Sequence, residues 1–98
     1  GVSKSVPWRS EPIELRLAKS ATIAGVHVSL ANRHHRATFA VDGWRDGTWV
    51  ELVRTPGKQP QRRYVLDFEP FSTQRVRVRL IRSSAPVSVA EIRIYRRG

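Results

Sequence analysis

The sequence predicts an all-β fold, an antiparallel sandwich or barrel of about seven short strands, and two observations carry that expectation. Apolar side chains recur with period two along most of the chain, and no stretch offers a helical stripe. Turn-forming residues break the alternation roughly every 8–12 positions, the strand spacing of a sandwich. At 98 residues the chain suits one domain, residues 1–98, with a single core and little room for a deep cleft.

Each element can be justified in order. Ile13, Leu15 and Leu17 alternate with Glu14 and Arg16, and a turn is expected around 18–20. Val26, Val28 and Leu30 alternate with His27 and Ser29 before a polar loop at 31–36. Phe39 and Val41 lead into a hairpin whose tip spans 43–47, with glycines where positive φ is wanted. Val50 and Leu52 form the return strand, ended by the Pro- and Gly-containing loop 55–60. Tyr64, Leu66 and Phe68 interleave with Val65 and Asp67, and a connection is expected at 69–73. Val76, Val78 and Leu80 interleave with Arg75, Arg77 and Arg79, and a short reversal follows at 83–86. In the last run, 87–95, Val89, Ile92 and Ile94 all face inward only if a bulge near Ala90 shifts the register.

Lys and Arg number 18 against 8 Asp and Glu, a formal net charge of +10. Only Lys4, Lys19 and Lys58 are lysines, so the excess is arginine. The planar guanidinium fork matches a carboxylate, sulfate or phosphate with two bonds, which suits an anionic partner. The alternative is compositional bias on a solvated surface, because net charge speaks to association rather than to fold. Where the charge falls separates the two readings. If consecutive strands cross the sandwich in alternate directions, 18–20, 43–47 and 69–73 share one end. The other end gathers 8–10, 31–36, 54–60 and 82–86, and with them Trp8, Arg9, Arg33, His34, His35, Arg36, Arg54, Lys58 and Arg82.

At this point a family resemblance becomes visible. Trp8-Arg9-Ser10 followed by the strand 13–17 resembles the opening of discoidin-like domains, the coagulation-factor type C or galactose-binding-like modules. The run 22–28 resembles their next strand, and Asp46-Gly47-Thr48-Trp49 their Asp-Gly-x-x-Trp stretch. Arg77-Val78-Arg79-Leu80 is similar to a Tyr-Val-Arg-Leu strand, and 87–95 to the closing strand. The ordered set covers most of the chain. The family carries some 40 further residues before the Trp-x-Ser motif, often with a calcium loop, so no calcium site is carried over. The resemblance implies a β-sandwich jelly roll of about seven to eight short strands with a non-catalytic binding role. Its known ligand classes are glycans, anionic phospholipid surfaces and proteins, and such domains are often appended to polysaccharide-degrading enzymes.

The candidate residues each have a plain reading beside the functional one. The resemblance places Trp49 in the core, whereas Trp44 either packs over the hairpin or stacks on a ligand. Trp8 either plugs the sandwich end or offers a ring to a sugar. His34-His35 reads as a glycan- or phosphate-contacting pair or a plain surface loop; flanking Arg33 and Arg36 oppose a metal ion. His27 is expected to be merely exposed. The row Arg75, Arg77, Arg79, with Arg93 on a neighbouring strand, is either a solvated face or a cationic strip, with Arg79 paired to Glu91 or Asp67.

The scattered carboxylates, the lack of cysteine and the lack of a Gly-rich phosphate loop argue against an enzyme, a metal site or a cofactor. No apolar run approaches the roughly 20 residues that a membrane-crossing helix needs. The expected function is a carbohydrate-binding accessory module for an acidic polysaccharide, working through the basic loop end. It would be secreted or cell-surface and attached to the catalytic domain of a longer parent chain. A docking domain for nucleic acid or an anionic membrane, and a structural module packed on a parent enzyme, are the alternatives.

Overall fold

The computed structural model describes residues 6–8, 12–31, 36–55, 61–83 and 87–96. Six strands form: β1 (Val6–Trp8), β2 (Ile13–Leu30), β3 (Ala37–Arg45), β4 (Thr48–Arg54), β5 (Arg63–Ser83) and β6 (Val87–Arg96). Their order is β1-β6-β2-β5-β3-β4, with every neighbour pair antiparallel.

β2 and β5 are the organising strands because each serves both layers of a sandwich. The first arm of β2 pairs Ile13 to Arg16 with Val78 to Arg75, while its second arm pairs Gly25 to Ser29 with Asp67 to Arg63. Beyond the first pairing lie β3 and β4; beyond the second lie β6 and β1. The two arms meet across the core, where the Phe39 and Tyr64 rings stand edge-on at 4.9 Å although their strand segments are not paired. Extents of 34 × 24 × 23 Å agree, since one open sheet would be far thinner.

The turns expected at 18–20 and 69–73 are bends inside these continuous strands. Opposite Gln74 the ladder jumps from Arg16–Arg75 to Ala21–Thr73, so residues 17–20 bulge out of β2. The Gln74 amide donates to the carbonyls of Leu17 and Ala18, at 3.1 and 3.3 Å, and so satisfies backbone that the bulge strands. A second register shift, between Ile23 and Gly25, reverses which parity faces inward, from Ile13, Leu15 and Ile23 to Val26, Val28 and Leu30. Counted arm by arm the sandwich has eight strands, as the jelly-roll reading requires.

The bulge expected in the last strand holds, and the hairpin turn holds in part, since Gly43 stays in β3 opposite Val50 and the turn is confined to Asp46 and Gly47. β6 slips register between Glu91 and Val89, leaving Ala90 unpaired and both Val89 and Ile92 fully buried. The hairpin closes on Arg45–Thr48 with Asp46 and Gly47 at φ of 51° and 78°. Positive φ at both positions is the type I′ turn that matches strand twist. The core draws on both layers, with Ile23, Val26, Val28, Leu30, Tyr64, Leu66 and Ile92 against Phe39, Val41, Val76 and Val78.

Candidate functional site

Strand stubs carrying the expected basic residues converge at one end. Ala37 pairs with Ser83 and Thr38 with Arg82, while Ala40 pairs with Arg54. Leu30 pairs with Val89, and the β1 backbone at Trp8 pairs with Val87. The floor beneath these stubs is cross-braced. Ala37 N–H donates to the buried Tyr64 hydroxyl at 3.0 Å, and Thr55 Oγ1 accepts from Phe39 N–H at 2.9 Å. Arg62 donates through Nε to Leu30 O at 3.2 Å, tying the start of the 31–36 loop to the end of the 55–60 loop.

On this floor Arg36 and Arg82 are exposed. Arg54 is exposed too, but its guanidinium bonds Glu51 at 2.8 Å. The other expected residues, Arg9, Arg33, His34, His35 and Lys58, lie outside the described residues, as does the Trp8 side chain. The structure therefore brings the stubs together and leaves the loop side chains undescribed.

The outer face of the layer holding β3 and β4 differs from expectation. Arg75, Arg77 and Arg79 alternate outward, but carboxylates and rings on neighbouring strands occupy all three. Arg79 pairs with Asp42 and Glu51, not with Glu91 or Asp67 as the sequence suggested, because β5 lies beside β3 in this layer. Arg77 shares Asp42, whose side chain is only 2% exposed. Arg75 bonds Glu14 and also lies over the Trp44 ring at 4.4 Å. Arg93 sits on the other layer, where β6 pairs with β2, and bonds Glu91.

Trp49 also departs from expectation. It is half-buried on this outer face, edge-on to Trp44 at 5.1 Å, with Arg77 over its ring at 4.6 Å. The sequence held the signal for this pair. A two-residue turn at Asp46-Gly47 sets positions 44 and 49 directly opposite, so the two tryptophans must share a face. His27 is likewise not simply exposed. It packs on Tyr95 at 4.0 Å and lines a shallow groove of about 150 Å³ with Ser29, Arg63, Glu91 and Arg93.

These ion pairs set an acid limit on stability. The Arg75 hydrogen bond holds the Glu14 carboxyl below its ordinary value of 4.5. Hydrogen bonds from Arg54 and then Arg79 do the same for Glu51. Both folded values lie below the unfolded ones, so the unfolded chain binds more protons in between. The contribution is complete above about pH 5 and is lost as pH falls through the folded values. Denaturant midpoints measured from pH 7 down to 3 are expected to plateau and then fall. Glu51→Gln should flatten part of that fall; an unchanged profile would mean the pairs do not couple to folding.

No protein-family model matches the chain, and no curated protein sequence does. Solved structures do. The chain matches CpGH89CBM32-6 produced by Clostridium perfringens with a TM-score of 0.76 and 18% identity, over 97% of this chain and 76% of that one. It matches the CBM32 of AlyQ in complex with 4,5-unsaturated mannuronic acid at TM-score 0.68 and 17% identity, over 93% of this chain and 74% of that one. A Bacteroides thetaiotaomicron VPI-5482 chain assigned as an alpha-L-fucosidase gives a TM-score of 0.75 at 13% identity over 96% of this chain. Only 22% of that longer chain is covered. At these identities the likeness is one of fold. Eight arms carried on two bent, shared strands thus form a β-sandwich with the fold of these CBM32 domains.

Proposed function

We propose that the chain is a non-catalytic carbohydrate-binding accessory module that holds an acidic polysaccharide at its basic loop end. The observation that carries this reading is the convergence of the Arg36, Arg54 and Arg82 stubs on one rigid floor. Guanidinium groups there would pair with uronate carboxylates or sulfates, and the Trp8 ring would offer an apolar face to a sugar. Arg9, Arg33, His34, His35 and Lys58 belong to the same proposed surface. The fold supports the binding role, and the neighbour solved with 4,5-unsaturated mannuronic acid supports an acidic sugar. Attachment to a catalytic parent domain, and a secreted or cell-surface setting, follow from the same reading.

Affinity electrophoresis through polymannuronate gels tests it directly. The chain should be retarded, and Arg33→Ala with Arg36→Ala should weaken binding by about tenfold or more, the loss of one charged hydrogen-bonded contact. Retardation unchanged by that pair would remove the loop end from the site. Tight binding to any duplex DNA, falling steeply with salt in place of sugar competition, would favour a nucleic-acid docking role instead.

A further inference from the structure

The end opposite the basic loops holds a second built concavity. There the 17–20 bulge, the hairpin tip and the bend of β5 meet around a hollow of about 430 Å³, within the size range of small-ligand sites. Arg16, Ser20, Trp44, Arg45, Asp46 and Ser72 supply the polar and aromatic lining.

Its walls are held in place by contacts that do not depend on a ligand. The buried Thr73 hydroxyl donates to Trp44 O at 2.7 Å and pins the hairpin tip to the β5 bend. Gln74 holds the bulge that carries Ser20. Arg75, fastened to Glu14, covers one face of the Trp44 indole.

The charge at the mouth points to the ligand. Arg75, Arg77 and Arg79 each have a carboxylate partner on this face. Arg16 and Arg45 have none within ion-pair distance among the described residues, although Arg45 stacks over Phe71 at 3.9 Å. Two guanidinium forks without carboxylate partners, beside two serine hydroxyls and one carboxylate, match a sugar that carries both an acid group and hydroxyls. The acid group takes the forks, the hydroxyls take Asp46, Ser20 and Ser72, and the indole borders the ring.

We infer that this concavity is a second binding site, for a uronic-acid residue of an anionic polysaccharide. It shares its ligand class with the proposed loop-end site but none of its residues. Two sites at opposite ends of a body no longer than 34 Å make the module bivalent, able to bridge polymer strands and gain avidity.

Calorimetric titration of the whole chain with hexagalacturonate tests this, with mannohexaose as the neutral control. Two hexasaccharides per chain are expected. Arg16→Gln with Arg45→Gln should reduce the count to one. Ser20→Glu, which sets a carboxylate in the hollow without removing any described contact, should do the same. If Ser20→Glu abolishes all binding while Arg33→Ala with Arg36→Ala changes nothing, the inference stands and the loop-end reading falls. Binding that only the loop-end pair alters would overturn the inference, as would equal binding of mannohexaose at the hollow. Failure of hexagalacturonate to bind at all would overturn it too. So would a single-stranded oligonucleotide that occupies the hollow when hexagalacturonate does not.

Discussion

Asp42→Ala should destabilise the fold by about 3–5 kcal/mol, the cost of leaving a buried charge pair without one partner. Asp42 stands on β3 with its side chain 2% exposed, and both Arg77 and Arg79 bond its Oδ2, at 2.5 and 2.6 Å. The side chains of Arg77 and Arg79 are about a quarter exposed, so water can relieve part of the loss. Glu51 remains for Arg79, which places the expected value toward the lower figure. Against the roughly 5–15 kcal/mol available to a small domain, even that is a large fraction. Urea unfolding of the single variant gives the number. In an Arg77→Met, Arg79→Met background, Asp42→Leu should cost much less, because charge is then removed as a set. A loss below about 1 kcal/mol for Asp42→Ala would show that Glu51 alone satisfies the row.

The second large effect comes from a glycine. A Cβ at position 43 would lie 2.5 and 2.8 Å from two ring carbons of Phe71, and 3.2 Å from Leu52 Cδ1. Phe71 is buried, and Arg45 lies over its ring, so the ring has little space into which to retreat. Overpacking of this kind costs about 1–3 kcal/mol, and Gly43→Ala should lower the melting temperature by roughly 4–8 °C for each of them. Phe71→Leu should recover part of the loss in the double variant, since the clash is with the ring itself. Additive losses would place the strain elsewhere. Because Phe71 underlies Arg45, the same substitution should disturb the hollow at the hairpin tip.

Much of the fold was legible in local pattern. Period-two alternation located strand segments in β2 to β6 but not the short β1, the Asp-Gly pair located the type I′ turn, and the misfit of Val89 with Ile92 located the bulge at Ala90. The merging of strands into β2 and β5 was not legible. Residues 18–20 are small or polar and exposed whether they form a turn or a bulge, and Gln74 on the facing strand is what braces the bulge. The fate of the arginine row was hidden for a related reason. Arg79 has Asp42 and Glu51 as partners because β5 lies beside β3, and nothing local to residues 75–79 encodes that neighbour.

The sequence by itself determined the class of fold and the inward and outward parity of most strands, although Val50, read as inward on the return strand, is exposed. Both follow from side-chain order along a pleated strand. Tertiary structure alone decided that the face Trp49 shares with Trp44 is an outer one, covered by two arginines. It also decided that the basic stubs rest on a braced floor, and that a hollow forms at the opposite end. These depend on which strands become neighbours, a choice made by burial of the whole apolar surface and not by any one segment.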